Sequence, residues 1–326
     1  MKRIYTYIII AIAAVAFASC EKEIEFTGEE TSPYIMLFSE PADGCPWVVR
    51  ITQSRFFLSN DTIRAISDAQ IEATVNGQPL NTTIQYLGNG RYDMGYTPHC
   101  GDTISVRVNV AGLPTITSGC RVPSKANITN IEYSMEESSR YSYWDDYTQD
   151  SVISIGGTIT VSFKLSDPAD EHNYYMLRRA ERYNGDDNWR YEYFELKDNV
   201  LFDNTDMEEV FDLGFSEPDN WGDRIFFSDE RINGKDHTIK VEGGYYRWSS
   251  ISGSESNTER RLEIYTLSRD MYLFYKTLKA VQYQDEITSI FAEPVQLHTN
   301  VTGGIGVLGG SAKVEINVES PTNLKK

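Results

Sequence analysis

The sequence predicts an all-β protein: an N-terminal immunoglobulin-like sandwich, then a larger β-sandwich or barrel-like domain containing one helix. Three observations carry this. Apolar residues alternate with polar ones at period two in short runs. Turn residues punctuate those runs about every 8–12 residues, the rhythm of a sandwich. Only one stretch, after Ser268, repeats its apolar residues at helical spacing. The 326 residues suggest about two domains. With 12% aromatic residues the chain has the apolar material for folded cores, which a disordered chain lacks.

In the first domain, residues 33–38 and 46–52 are apolar strands separated by Asp43-Gly44. Ile71–Val75 runs into Asn76-Gly77, the strongest short hairpin signal. Gly88-Asn89-Gly90 turns the chain again before Tyr92, Met94 and Tyr96. Ile104, Val106, Val108 and Val110 alternate with Ser105, Arg107 and Asn109, and Thr115–Val122 returns after Gly112-Leu113-Pro114. Seven strands over residues 32–124 read as an immunoglobulin-like sandwich.

The second domain, 125–326, opens on the aromatic and acidic stretch Tyr141–Tyr147. Ile159, Val161, Phe163 and Leu165 make an alternating strand, and Asn173–Tyr183 with Arg190–Leu196 reads as a strand pair. Ile225-Phe226-Phe227 and Thr238–Val241 flank Asn233-Gly234 and read as a hairpin. A helix at about 268–282 follows from Ser268 as N-cap, Asp270 in the first turn, and Met271, Phe274, Tyr275, Leu278 and Val281 on one face. Lys276 and Lys279 suit its C-terminal end. Val295–Val301 and Lys313–Val318 read as closing strands.

Forty-eight acidic against 30 basic residues give a net charge of −18. A chain this acidic does not seek phosphate backbones, so nucleic acid is excluded as a partner. At the N-terminus, Lys2 and Arg3 precede an apolar run from Ile8 to Phe17, then Ala18 and Ser19. This is the pattern of a signal peptide over residues 1–19, too short for the ~20 residues of a membrane span. Phe17-Ala18-Ser19-Cys20 resembles the bacterial lipobox, which implies a mature chain that begins at a diacylated Cys20. Residues 20–31, with Glu21, Glu23, Glu25, Glu29 and Glu30, read as a lipidated flexible tether. That acidic run resembles the surface-export signal of Bacteroidota lipoproteins.

Most chemical signals lose to structural ones. Gly304-Ile305-Gly306-Val307-Leu308-Gly309 matches G-x-G-x-x-G, but the alternating Val314, Ile316 and Val318 follow where a phosphate-binding helix should begin. A glycine-rich bend is the expectation. His99, His172, His237 and His298 stand far apart, without paired-ligand spacing, so no metal or other cofactor is expected. Residues 198–223 hold nine acidic side chains and no Lys or Arg. Asp203, Asp206, Glu208 and Glu209 could supply Ca²⁺ oxygens, yet the EF-hand spacing is absent and a solvated acidic loop is the better reading. No nucleophile elbow is present, so no enzyme is expected. Trp144, Trp189, Trp221 and Trp248, with most of the Tyr, lie after residue 126; they read as core first, interface second and glycan platform third. Asp61-Thr62-Ile63, Asp102-Thr103-Ile104 and Asp150-Ser151-Val152 resemble the Bacteroidota O-glycosylation acceptor, with Thr103 the least accessible.

Cys45, Cys100 and Cys120 are the disulfide candidates of an exported chain. If seven strands each cross the sandwich once, all three thiols lie at one pole, the one facing the second domain. A hairpin pairing Val110 with Thr115 would set Cys120 opposite Ser105. Cys45–Cys100 is then the favoured bridge, with Cys100–Cys120 close behind, and three reduced, partly buried thiols are the alternative to any bridge.

Taken together, the lipobox, the Asn76-Gly77 sandwich, Ile225–Lys235, Leu262–Ser268, Phe291–Pro294 and the ending Asn300–Gly309 resemble the Bacteroidota outer-membrane lipoprotein family known as domain-of-unknown-function family 4249. The resemblance spans nearly the whole mature chain; Leu308 stands where an aromatic is usual. It implies an outer-membrane lipoprotein often encoded beside TonB-dependent receptors, and it supplies no catalytic residue. The expected function is non-catalytic binding as an accessory subunit of a TonB-dependent transporter, with its receptor β-barrel as partner. A stand-alone surface glycan- or peptide-binding protein is the alternative, and a hydrolase the third.

Overall fold

The computed structural model describes residues 32–56, 62–146, 149–183, 186–197, 201, 223–286 and 296–318. All but Ser32 and Phe56 belong to one compact unit. Its first nine strands are β1 (Ile35–Ser39), β2 (Val48–Gln53), β3 (Arg64–Ala65), β4 (Gln70–Val75), β5 (Gln78–Pro79), β6 (Gln85–Gly88), β7 (Arg91–Asp93), β8 (Thr103–Asn109) and β9 (Ile116–Arg121). One sheet runs β1-β2-β7-β6, with β3 on β2; the other runs β5-β4-β8-β9. Lettered in chain order, these are the A-B-E-D and C′-C-F-G sheets of an immunoglobulin-type sandwich. The alternating face of β8 supplies Ile104, Val106 and Val108, which pack against Leu37, Val49 and Ile51. Asn76 and Gly77 take φ of 52° and 74° at the tip of the β4–β5 hairpin, as the sequence requires.

The second sandwich contains β10 (Asn127–Asp145), β11 (Asp150–Ser166), β12 (Tyr174–Tyr183), β13 (Arg190–Glu192), β14 (Glu195–Leu196), β15 (Arg224–Ser228), β16 (Asp236–Ser250) and β17 (Thr258–Leu267). Helix α1 (Arg269–Glu286), β18 (Ile305–Leu308) and β19 (Ser311–Val318) follow. One sheet is β10-β11-β16-β14; the facing sheet is β13-β12-β17-β19, with β15 on β12. Ile155, Phe163, Leu177, Phe227, Ile239 and Ile264 fill the space between them. Neither sheet closes on itself, so this is a sandwich and not a barrel. On the outer side of the second sheet, Met271, Tyr272 and Phe274 of α1 pack on Met176, Phe226 and Leu267. Ser268 caps the helix, its Oγ accepting the Met271 N–H at 3.4 Å. The helix runs on to Glu286, so Lys276 and Lys279 sit near its middle and not at its C-terminal end.

The chain's C-terminal part does not stay in the second sandwich. Strand β18 returns to the first and pairs parallel to β1, from Met36 opposite Ile305 to Ser39 opposite Leu308. Glycines permit this approach. A Cβ on Gly306, whose φ is 115°, would overlap the Leu37 carbonyl oxygen, and one on Gly304 would lie 2.6 Å from the Ile35 oxygen. The G-x-G-x-x-G run is therefore an added strand; it is neither a phosphate loop nor a bend.

Three further expectations change. Residues 296–301 form no strand; side chains take backbone groups a ladder would use, the His298 N–H donating to Thr277 Oγ1 at 2.8 Å and the Val301 N–H to Thr299 Oγ1 at 3.2 Å. Ile225–Phe227 and Thr238–Val241 form no hairpin; β15 pairs β12 while β16 pairs β11. Residues 225–227 are buried and apolar throughout while Thr238–Val241 alternates buried with exposed residues, and neither pattern names a partner strand. The β8–β9 register sets Cys120 opposite Ile104 rather than Ser105, because the turn closes earlier, with Leu113 N–H on the Val110 carbonyl at 3.1 Å.

Candidate functional site

Cys20, together with the signal peptide and tether, lies outside the described residues, as do Asp203, Asp206, Glu208, Glu209 and Trp221. Among the described residues no group of three or more His, Cys, Asp or Glu could hold a metal ion. Cys45, Cys100 and Cys120 are free thiols. They stand at one pole of the first sandwich: Gly44 N–H donates to the Pro98 carbonyl at 2.9 Å, Cys100 N–H to Asp43 Oδ1 at 2.9 Å, and Gly101 N–H to the Val122 carbonyl at 2.9 Å. Burial, with Asp270 nearby, pushes the Cys120 thiol up to about 12. Thr62 and Thr103 are exposed and Ser151 is half-buried, so Thr103 is more accessible than its place beside a strand suggests.

Two surface features remain. The first is a polar groove of about 500 Å³ on the outer face of the β4-β8-β9 sheet, lined by Glu72, Thr74, Ser105, Arg107 and Thr117, with Asn300 at one side. Its hydroxyls are partly satisfied internally, Thr74 Oγ1 and Ser105 Oγ lying 2.6 Å apart.

The second is larger in apolar content. Strands β10, β11 and β16 run far longer than the others, and their ends carry exposed aromatics. Side chains directly opposite in register share a sheet face. Tyr141 opposes Ser154, which opposes Trp248; Ser139 opposes Gly156, which opposes Tyr246. Tyr141, Tyr143, Tyr246 and Trp248 thus surround a floor of Gly156 and Ser154 on one face. Tyr141 is 64% exposed and Trp144, on the opposite face, 58%. Partial burial, with Tyr246 nearby, raises the Tyr143 hydroxyl above its ordinary value. Ile251, at the tip beside Ser151, is also exposed. Core is therefore the wrong reading for Trp144, and Trp189 instead lies under the Arg261 guanidinium, 3.9 Å from its ring centroid.

A buried ion cluster holds this arm in place. Glu181 accepts from Arg179 and, at 2.9 Å, from Arg260 Nε; Tyr183 adds a third bond at 2.7 Å. The two guanidiniums then reach across the sandwich to β16, Arg179 donating to the Gly244 carbonyl at 2.5 Å and Arg260 to the Tyr246 carbonyl at 3.0 Å. Buried charges persist only when paired and hydrogen-bonded, and here the pairing fixes the backbone that carries Tyr246. Burial and Glu181 push the Tyr183 hydroxyl up to about 12. Arg179, Glu181 and Tyr183 alternate along β12, but their partner Arg260 comes from β17 and the accepting carbonyls from β16, which no local spacing reveals.

The arrangement offers exposed aromatic surface on a rigid support. No curated protein and no solved structure matches the chain. The family model described as "Domain of unknown function (DUF4249)" matches residues 21–317, nearly the whole chain, and the protein belongs to that family.

Proposed function

We propose that the protein is a non-catalytic lipoprotein, held in the outer membrane through Cys20, that serves as an accessory binding subunit of a TonB-dependent transporter in nutrient capture. The observation that carries this reading is the exposed aromatic surface on one face of the β10-β11-β16 arm, above all Tyr141 and Tyr143 with Tyr246. Contiguous exposed apolar surface marks interaction sites, and Tyr and Trp dominate the energetics of protein interfaces. The lipobox-like Phe17-Ala18-Ser19-Cys20 and the acidic tether support a membrane-anchored, outward-facing chain. Extraction of the full-length protein from native membranes in mild detergent tests the reading. Co-purification of a large β-barrel in near-equal amount is expected; its absence would argue for a protein that works alone.

The second reading is a stand-alone surface glycan binder. Tyr141, Tyr143 and Tyr246 around Gly156 give a shallow aromatic face of the kind on which sugar rings stack. A soluble glycan bound by the purified protein with no barrel present would favour it.

A further inference from the structure

The outer edge of β10 has no partner strand among the described residues. Among the described residues β10 pairs only with β11, and it is the end strand of its sheet. Natural edges are guarded by lysines, prolines, short length or bulges, because a row of unpaired backbone groups templates another strand. Strand β10 spans 19 residues and contains neither Lys nor Pro. Its register breaks occur between Thr129 and Glu132 and between Glu137 and Ser139; from Ser139 to Asp145 the ladder with β11 is uninterrupted. That stretch, Ser-Arg-Tyr-Ser-Tyr-Trp-Asp, is exposed on both faces over nearly its whole length.

We propose that Ser139–Asp145 receives an extended, Lys- or Arg-bearing segment of a partner protein as an added β-strand. Strand addition gives affinity through the main chain and specificity through alternate side chains. Tyr141 and Tyr143 would flank the added strand on one face, and Ser142 with Trp144 on the other. The sign of the partner follows from the charges along β10. Glu132, Glu136 and Glu137 stand on β10 just before the receiving stretch, and its one cation, Arg140, is already held by Glu137 at 2.8 Å. A second copy of this chain is a poor occupant, since two such edges, each on a chain of net charge −18, repel. The inference rests on the docking role proposed above and specifies how the partner is held.

Amide hydrogen exchange of the mature lipoprotein in detergent tests it, with a capped nine-residue peptide of alternating Lys and Val as probe. Exchange across Ser139–Asp145 slows at least about ten-fold, as ladder hydrogen bonds require. The same peptide with Glu for Lys, or N-methylated on alternate residues, does not slow it. The double variant Glu136→Lys/Ser142→Lys, both positions exposed, reverses the preference and takes the Glu peptide. Equal protection by the N-methylated peptide would overturn strand addition, as would no protection at millimolar peptide, or protection without peptide in a dimer. If wild-type protein brings down a barrel and the double variant does so equally, the docking role stands and the strand addition falls. If wild-type protein brings down none while the peptides behave as stated, the docking role falls alone.

Discussion

Asn300 holds Leu308 by both backbone groups: its Oδ1 accepts the Leu308 N–H at 3.0 Å, and its Nδ2 donates to the Leu308 carbonyl at 2.8 Å. The side chain thereby replaces a neighbouring strand at the end of β18. The same amide also reaches Asp270 Oδ2 at 3.1 Å on helix α1 and the Gly119 carbonyl at 3.3 Å on β9. One residue ties the returning strand, the first sandwich and the helix together. The Asn-x-Thr-Gly-Gly-x-Gly ending that carries the family resemblance is, on this geometry, an assembly device.

Replacing Asn300 with Ala leaves several partly buried backbone groups without partners. Each such orphan costs about 1–3 kcal/mol. A loss of about 3 kcal/mol in urea unfolding is expected for Asn300→Ala, and a loss below about 0.5 kcal/mol would contradict the role.

Glycine matters unequally. At Gly306 a methyl group overlaps the Leu37 carbonyl oxygen, whereas at Gly112, with φ of 79°, it meets nothing within 4 Å. Gly112→Ala carries only the left-handed backbone cost, about 1 kcal/mol. Gly306→Ala adds overpacking against a backbone that cannot retreat, for about 3 kcal/mol or more in all. Comparable midpoints for the two variants in denaturant titrations would refute the close pairing of β1 and β18.

The second effect is acid sensitivity. Burial alone would raise the Asp102 carboxyl, but the His99 N–H at 2.9 Å, the Tyr96 hydroxyl at 2.7 Å and the Asn76 amide at 2.8 Å together hold it below the ordinary carboxylate value. A depressed pKa means that the unfolded chain takes up the proton first as pH falls. Its contribution is therefore present above about pH 4, the unfolded value, and is lost as pH drops through the lower folded value. Asp102→Ala should cost about 2–4 kcal/mol at pH 7. That difference should shrink below pH 4; a pH-independent difference would show that the carboxylate's charge is not what counts.

The thiols give a simpler test. Cys45 and Cys100 are exposed, while Cys120 is half-buried and its pKa is pushed up to about 12. Thiolate is the reactive form, so at pH 8 Cys120 should alkylate at least about ten-fold more slowly than Cys45. Intact mass after alkylation should show Cys45, Cys100 and Cys120 all free. A cross-linked Cys45–Cys100 peptide would contradict the free state seen here.

Much of this fold was legible in the sequence wherever local chemistry decides structure. Asn76-Gly77 specified its turn, Ile104 to Val108 displayed their buried face, and Ser268 marked its helix. What escaped was partner choice. Residues 304–308 give no strand pattern, because glycines take the positions where a backbone approaches closely. Strand β10 also gave little sign of its length, since both its faces are exposed and no alternation of apolar residues is imposed on it. The Arg179–Glu181–Arg260 cluster depends on β12 meeting β17 far along the chain, which no local spacing records. The aromatics of Tyr141–Trp144 were visible as residues, but only the structure separates them from the core.

The central claim is that this arm docks the protein onto an outer-membrane transporter. A photo-cross-linking amino acid placed at Tyr141 in the native host, with Thr74 on the first sandwich as the control position, tests it most directly. The account predicts a cross-link from position 141 to a TonB-dependent receptor barrel, and none from position 74. Cross-links from both positions to the same unrelated proteins, or none from position 141 while the protein remains in the outer membrane, would contradict it.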